Sequence, residues 1–188
     1  FATFSADSRD KAYFPTIGSK SEFRVEYVMP LSKNWSKDLF TSSFIIYWKY
    51  EFNYPVSPKV VLRPGIFLGS TLSSENRPPL QHYFGFGGLN PNQYISTSLP
   101  FTGLQFIQKF GYHAAILRMK VQYNFFKKLY ITFLLDGGSI EEDFDEFYTP
   151  DNWIAGYGTT VSYDSFIGPL ESTLMGSNLN SIGLLGEL

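Results

Sequence analysis

The sequence contains no cysteine at all and only two histidines among 188 residues. Without cysteine, disulfides and thiol chemistry are excluded. His82 and His113 lie far apart, and neither has an aspartate or glutamate at ligand spacing, so the sequence predicts no metal site at either. No apolar run approaches the ~20 residues that a membrane helix requires. Membrane-crossing β-strands remain possible, because apolar and polar residues alternate in such strands and their mean hydropathy is near zero.

Charge is scarce as well. Charged residues make up 17% of the chain and the net charge is −2, which argues against nucleic acid as a partner. Aromatic residues are abundant instead, at 19%, and most of them are Phe and Tyr. The length is that of one domain. Because the chain opens at Phe1 without a signal peptide, we expect a processed protein or a fragment of one.

Apolar and polar residues alternate in several long segments, which is the period of a β-strand. Between residues 19 and 29, one face is apolar and the other carries charges of both signs. We expect the apolar faces to contact lipid, through Phe23, Val25, Tyr27, Phe44, Ile46, Trp48, Tyr50, Leu117, Met119, Val121, Leu129, Ile131 and Phe133. We expect the polar faces to line a lumen, through Glu22, Arg24, Glu26, Lys49, Glu51, Arg118, Lys120 and Asp136.

Nine such strands are predicted, with no helix. Their connections are short at 10–18, 55–58, 126–128 and 164–168, and mostly longer at 30–42, 71–112 and 138–152, with a brief one at 177–181. This pattern is typical of bacterial outer-membrane barrels. The sequence therefore predicts an all-β, antiparallel transmembrane outer-membrane β-barrel domain over residues 1–188. Such barrels have even strand numbers, so we expect strands from upstream or from another chain to complete the wall.

Two further expectations concern the strands and their orientation. Pro64 lacks an N–H and predicts a bulge within its strand. Counting strands back from a periplasmic C-terminus puts 30–42 and 138–152 outside the cell and 55–58 and 127–128 in the periplasm. A soluble sandwich or lipocalin-like barrel shares the alternation, but its water-facing side would not carry aromatic rows such as Trp48, Tyr50 and Phe52.

The stretch 81–110 has no sustained period and is rich in glycine and aromatic residues. A loop this long is usually functional, and we expect it to fold into the lumen as a plug. Its apolar side chains Phe84, Phe86, Phe101 and Phe106 then need partners inside the barrel.

Several short motifs resemble the bacterial surface-antigen barrel superfamily, which includes outer-membrane insertases and two-partner secretion translocators. They are Asp7-Ser8-Arg9-Asp10 with Phe14-Pro15-Thr16-x-Gly18, then Tyr83-Phe84-Gly85-Phe86-Gly87-Gly88, Leu134-Leu135-Asp136-Gly137-Gly138 and Ser165-Phe166-Ile167-Gly168-Pro169-Leu170. The resemblance implies a lumen-inserted loop that enters through Gly87 and Gly88. It also implies that the chain is the second half of a sixteen-strand barrel. In that superfamily a loop arginine pairs with the strand aspartate; here Gln105 stands in its place, and we expect Gln105 to lie near Asp136.

More narrowly, Gly87-Gly88-Leu89-Asn90, Pro100-Phe101-Thr102-Gly103 and Phe125-Phe126-Lys127-Lys128-Leu129-Tyr130 resemble the C-terminal barrel of patatin-like phospholipases from Bacteroidetes-type bacteria. The resemblance implies a barrel that anchors or exports an upstream phospholipase domain. The chain itself has no Gly-x-Ser-x-Gly elbow, so we expect no enzyme activity and no cofactor from it.

Other readings of the function remain open. The alternatives are an insertase or translocator barrel, and a porin-like channel. Expected partners are outer-membrane lipid, the strands or chain that complete the barrel, and a protein complex in the outer membrane of a Gram-negative bacterium. The acidic segment 141–146 has carboxylates that suit calcium, although a solvated loop is the simpler interpretation.

Overall fold

The computed structural model describes residues 1–29, 42–73, 82–89, 97–180 and 183–187. Its regular structure is nearly all β, and the prediction of an all-β antiparallel fold is confirmed. Two 3-10 helical turns, Glu146–Tyr148 and Pro150–Asn152, separate the ninth and tenth strands. The strands are β1 (Ala2–Asp7), β2 (Gly18–Val28), β3 (Ser43–Ser57), β4 (Val60–Ser73), β5 (Phe84–Phe86), β6 (Ser98–Leu99), β7 (Lys109–Gly111), β8 (His113–Phe126), β9 (Leu129–Glu141), β10 (Ile154–Ser165), β11 (Gly168–Ser177) and β12 (Gly183–Glu187).

Across the described ranges, we find no helix that is both long enough and apolar enough to span a membrane.

Nine of these strands form one sheet in the order β1-β2-β3-β4-β8-β9-β10-β11-β12. Every neighbouring pair is antiparallel. Within the described residues the sheet is open, with β1 and β12 at its two edges. β4 and β8 are direct neighbours, so the long connection between them is an insertion that leaves the order of the wall intact.

The alternation of the sequence separates the two faces of this sheet. On β8 and β9, Leu117 and Phe133 are 53% and 52% exposed, whereas Gln122 and Asp136 are buried. We call the face that bears Gln122 and Asp136 the inner face, because the inserted stretch covers it, and the opposite one the outer face. A register slip of one residue would exchange the two sets of side chains, so the pattern itself fixes the pairing.

The side chains predicted to contact lipid lie on the outer face. Phe23, Tyr27, Phe44, Trp48, Leu117, Met119 and Phe133 are exposed there, and Val25, Ile46, Tyr50, Val121, Leu129 and Ile131 are half-buried among them.

The predicted bulge at Pro64 is wrong. The register of β4 against β3 is the same on both sides of the proline, with Glu51 opposite Gly65 and Tyr54 opposite Leu62. The register shifts lie nearer the strand ends instead, between residues 55 and 57 of β3 and between residues 124 and 126 of β8. Beside Pro64, the Arg63 side chain donates from Nε to Asn53 Oδ1 at 3.0 Å and so links the two strands.

The insertion between β4 and β8 forms a second, small sheet in the order β6-β5-β7. β5 is parallel to β6 and antiparallel to β7. Residues 81 and 90–96 of the predicted plug lie outside the described residues, as do 30–41 of the loop predicted to face the cell exterior.

The turn between β1 and β2 crosses the inner face at the opposite end of the sheet. The Asp10 carboxylate accepts hydrogen bonds from the Thr16 N–H and hydroxyl, both at 2.7 Å, and from the Ile17 N–H at 3.2 Å. Burial acts to raise the pKa of the Asp10 carboxyl, but these hydrogen bonds outweigh it and hold that pKa below its ordinary value. Phe14 stacks on Tyr130 of β9 with ring centroids 4.1 Å apart. Since β3, β4 and β8 separate β2 from β9, this contact requires a sheet that curves around its inner face.

Candidate functional site: the inserted loop and its seat

The inserted loop, residues 81–110, turns back on itself through its glycines. The Gly85 and Gly87 N–H groups donate to the carbonyls of Thr97 and Leu99, both at 3.0 Å. Gly87 has a φ of +137°, and a Cβ there would lie 1.7 Å from the Gln105 carbonyl oxygen. Only glycine fits this crossing of two chain segments. Gly88 follows with an N–H bonded to the Leu104 carbonyl at 3.1 Å.

Aromatic side chains seat the loop on the inner face. Phe84, Phe86 and Phe101 are all 0% exposed. Phe86 and Phe101 stack on each other at 5.2 Å, and Phe84 meets Phe67 of β4 edge-on at 5.7 Å. The wall contributes apolar residues to the same cluster at this end of the strands, namely Ile45, Tyr47, Phe67, Ala114, Ile116, Ile140 and Ile154. The loop thus buries three rings that water would otherwise surround.

Phe106 departs from this arrangement. We expected it to find a partner in the lumen, but it is 56% exposed, so the expectation is wrong. Among the described residues of the loop, those at 84–87 and 97–104 carry its burial, and Gln105 and Phe106 lie in the exposed segment that follows.

Wall glycines allow a very close approach of the loop backbone. A Cβ on Gly156 of β10 would lie 1.9 Å from the Thr102 carbonyl oxygen. On the loop itself, Gly103 has a φ of +82°, and a Cβ added there would lie 2.1 Å from the Gly176 carbonyl oxygen of β11. Backbone therefore packs directly on backbone where the loop crosses β10 and β11.

A buried ion pair lies beneath this crossing. Arg118 of β8 and Asp136 of β9 are directly opposite in the register. Arg118 donates from Nε to Asp136 Oδ1 at 2.7 Å and from Nη2 to Oδ2 at 2.9 Å. The same Nη2 reaches the Pro100 carbonyl at 2.7 Å, and the Thr102 N–H donates to Asp136 Oδ2 at 2.8 Å. One arginine–carboxylate pair thus holds two backbone groups of the loop.

The expected contact between Gln105 and Asp136 is wrong. Gln105 is exposed, its carbonyl is turned toward Gly87, and its N–H donates to Gln108 Oε1 at 2.9 Å. Both carboxylate oxygens of Asp136 are already bonded to Arg118 and Thr102. The arginine that pairs with Asp136 is Arg118 of the wall, and the loop contributes backbone groups to the pair instead of an arginine side chain.

A second attachment joins the loop to the connection between β11 and β12. Gln108 and Asn180 exchange hydrogen bonds through their side-chain amides, at 3.0 and 2.6 Å. Asn180 Nδ2 and the Ser177 hydroxyl each donate to the Gly103 carbonyl at 3.0 Å. Sequence reasoning missed Gln108, Asn180 and Thr102, because nothing in their spacing marks them. The Arg118–Asp136 pair had a signal in the alternation, which puts both residues on a polar face. The turn at 127–128 brings them directly opposite only with the register shift between residues 124 and 126.

The other charges predicted for the lumen share the inner face, and most of them have a polar partner there. Glu22 accepts from the Tyr47 hydroxyl at 2.6 Å, and Arg24 binds Glu26 at 2.7 Å. Glu51 binds Arg63 at 2.8 Å. Lys49 lies opposite Glu22 in the register of β2 and β3.

A cavity of about 110 Å³ separates the inserted loop from the β1–β2 turn. Pro100 and Thr102 line it on the loop side and Phe14 on the turn side, and Lys120 and Arg118 line it on the wall. The space is polar and large enough for a few water molecules. Among the residues that the structure describes, no group of three or more His, Asp or Glu side chains is arranged to hold a metal ion.

A family model described as the OMP85 superfamily matches residues 1–178. The chain belongs to the OMP85 superfamily. Members of this superfamily are outer-membrane proteins of Gram-negative bacteria, and the match supports an outer-membrane barrel of the insertase and translocator type. No curated protein matches the chain. In this OMP85 barrel the loop inserted between β4 and β8 is the candidate functional element, and Arg118, Asp136 and the glycines beneath it are its seat.

Proposed function

We propose that this OMP85 barrel anchors or exports an upstream patatin-like phospholipase domain, with the inserted loop as a fixed plug. The narrower motifs around Gly88, Pro100 and Lys127 support this choice. So does the attachment of the loop, because a plug bound by a buried ion pair suits a lumen that stays filled. The chain contributes no catalytic group and needs no cofactor in this role; any lipase chemistry belongs to the upstream domain.

The observation that carries the plug role is the double contact of Asp136. A buried carboxylate is costly unless it is paired and hydrogen-bonded. Here it is paired with Arg118 and also accepts the Thr102 amide, so lifting the loop removes one of its hydrogen bonds. The loop is therefore part of what makes the buried pair stable.

A second candidate is an insertase or translocator barrel for other proteins, which the superfamily match favours. A porin-like channel is a third candidate, and the loop's buried rings argue against it, because a porin needs an open polar lumen. For all three, the partners are outer-membrane lipid and the strands that complete the wall beyond β1 and β12, in the outer membrane of a Gram-negative bacterium.

Fractionation of cells that express the intact parent protein tests the anchor. We expect phospholipase activity in the outer-membrane fraction, and its release into the soluble fraction when residues 1–188 are deleted. Activity that stays soluble with the barrel present, or an upstream region without a serine elbow, would overturn the anchor. Planar-bilayer conductance of the intact protein distinguishes a porin-like channel from a plugged barrel. A porin requires a large, steady open-channel current, which a plugged barrel would not give.

A matched variant separates anchoring from plugging. Asp136→Asn removes a partner of the buried pair but leaves the outer face unchanged. We expect it to raise conductance while phospholipase activity stays with the membrane. Conductance that equals that of the wild type would contradict the plug and leave the anchor standing.

A further inference from the structure

Four turns lie together at one end of the main sheet, because its strands are antiparallel: β1–β2, β3–β4, β8–β9 and β10–β11. Backbone hydrogen bonds join the last three of them along this end. The Asn124 N–H donates to the Lys59 carbonyl, and the Asp164 N–H donates to the Lys128 carbonyl, both at 2.8 Å. Each of the first three turns carries lysine, and we call Lys11, Lys59, Lys127 and Lys128 the basic rim.

Among the residues that the structure describes, the ammonium groups of the basic rim have no carboxylate partner. All four lysines are exposed, and none forms a salt bridge within the described ranges. Nearby carboxylates are occupied, since Asp7 binds Arg9 and Asp10 binds Thr16 and Ile17. Asp164 also lies at this end. The opposite end carries the exposed carboxylates of residues 142–146, so the acidic cluster and the basic rim lie at opposite ends of the described sheet.

Large apolar side chains are exposed beside these lysines. Phe126 is next to Lys127, and Phe166 and Ile167 form the tip of the β10–β11 turn. Phe125 touches both Tyr123 and Phe126 in edge-on ring contacts, so an aromatic row runs from the outer face to the turn. Aromatic rings beside lysines are the pattern of side chains at the boundary between hydrocarbon and headgroups. Such rings would be poorly placed in a surface that only meets water.

We propose that the basic rim binds the phosphate groups of anionic glycerophospholipids in the leaflet next to the short turns. The rings enter the headgroup boundary, and the lysines donate to phosphate oxygens there. Short turns face the periplasm in bacterial outer-membrane barrels, so the leaflet is the periplasmic one. The proposal goes beyond the anchor or translocator role and does not depend on it. A phosphate-bearing headgroup is favoured over an acidic protein because large exposed apolar side chains lie beside the lysines at the same end of the sheet.

Lipid selectivity of the intact protein tests the proposal. The protein is reconstituted in phosphatidylcholine vesicles, and electron spin resonance measures how much spin-labelled phosphatidylglycerol or phosphatidylcholine is motionally restricted at its surface. A lysine near an anionic membrane surface raises the association constant roughly fivefold at low salt. We expect a several-fold preference for phosphatidylglycerol that falls toward unity in high salt.

Three variants define the source of the preference. Changing all four lysines of the basic rim to Gln is expected to abolish the preference, and changing all four to Arg is expected to keep it. Lys109→Gln, which removes one lysine of the inserted loop, is expected to leave it unchanged. Equal association of the two lipids with the wild type, or a preference that survives the change to Gln, would overturn the proposal. Loss of a co-purifying acidic protein in the Gln variant, with lipid selectivity unchanged, would assign the rim to a protein partner instead.

Discussion

At the scale of single residues, the seat of the loop depends on Asp136. Its carboxylate is buried, lies opposite Arg118 in the strand register, and accepts the Thr102 amide. Arginine and carboxylate form a bidentate pair here, which is stronger and more directional than a neutral hydrogen bond. The cost of losing the carboxylate is therefore the cost of leaving a guanidinium buried without its partner.

Asp136→Asn is expected to lower the free energy of unfolding of the intact protein by about 3 kcal/mol, because it breaks a buried ion pair. Gln105→Ala is the matched control; Gln105 is exposed, and its change is expected to stay within about 0.5 kcal/mol. Urea-dependent folding into lipid vesicles measures both. Equal effects of the two substitutions would show that Asp136 has no special part in the fold.

The contrast between Asp136 and Gln105 also shows which contacts can be predicted from the sequence. Alternation along β8 and β9 predicts the face of Arg118 and Asp136, whereas the register shift between residues 124 and 126, which brings the two directly opposite, comes from the structure. The partner of Asp136 on the loop is a backbone N–H, which any residue except proline presents. No side-chain pattern in the sequence indicates such a contact. The resemblance, which implies a loop side chain as the partner of Asp136, therefore predicted Gln105 instead of the Thr102 backbone.

At the scale of elements, strands are predictable from the sequence and the inserted loop is much less so. Period-two alternation yields the nine wall strands and their faces, since a slip of one residue would expose the polar set. The loop has no period, and its path follows from tertiary contacts such as Gly156 against Thr102. The expectation of buried partners holds for Phe84 and Phe86 and fails for Phe106, because residue type alone does not distinguish the three phenylalanines.

The rings of the loop are expected to hold it more firmly than any exposed contact. Changing both Phe84 and Phe86 to Ala removes two buried rings, each worth about 3–5 kcal/mol in a packed core. Limited proteolysis of the reconstituted protein is expected to cut the loop in this variant at protease levels that spare the wild type. Phe110→Ala, at a half-exposed ring of the same loop, is the control and is expected to remain resistant. Resistance of the double variant would contradict a loop seated by its rings.

The glycine of β10 offers a test of the close backbone approach. Gly156→Ala places a Cβ where the Thr102 carbonyl lies, so the loop must shift away from the wall. Gly137→Ala is a matched control on the neighbouring strand, because a Cβ there meets nothing within 4 Å. We expect Gly156→Ala to lower the urea midpoint of unfolding and to increase proteolysis of the loop, and Gly137→Ala to change neither. Identical behaviour of the two alanine variants would exclude this crossing.

At the scale of the whole molecule, the sheet separates a lipid-facing side from a polar interior. Its outer face is apolar along the middle of the strands, and its inner face holds the paired charges and the inserted loop. Curvature follows from the contact of Phe14 with Tyr130 across several strands. Within the described residues, β1 and β12 are the open edges of the sheet.

Met119→Arg tests the assignment of the outer face, because Met119 lies near the middle of β8 and is exposed on that side. Arginine at the bilayer midplane costs roughly 2–4 kcal/mol. We therefore expect a matching loss in the free energy of folding into vesicles. Asn124→Arg, on the inner face of the same strand, serves as the control and is expected to be far milder. A milder effect at residue 119 than at residue 124 would reverse the assignment of the two faces.

The inserted loop rests on the inner wall through Asp136 and its partner Arg118. Hydrogen exchange of the intact protein in a bilayer measures it most directly, at residues 97–104. Wild-type amides there are expected to exchange far more slowly than those of the exposed 166–167 turn, and Asp136→Asn is expected to speed exchange at Thr102 first. Exchange at 97–104 as fast as at that turn, or protection of Thr102 that is unaffected by Asp136→Asn, would contradict the account.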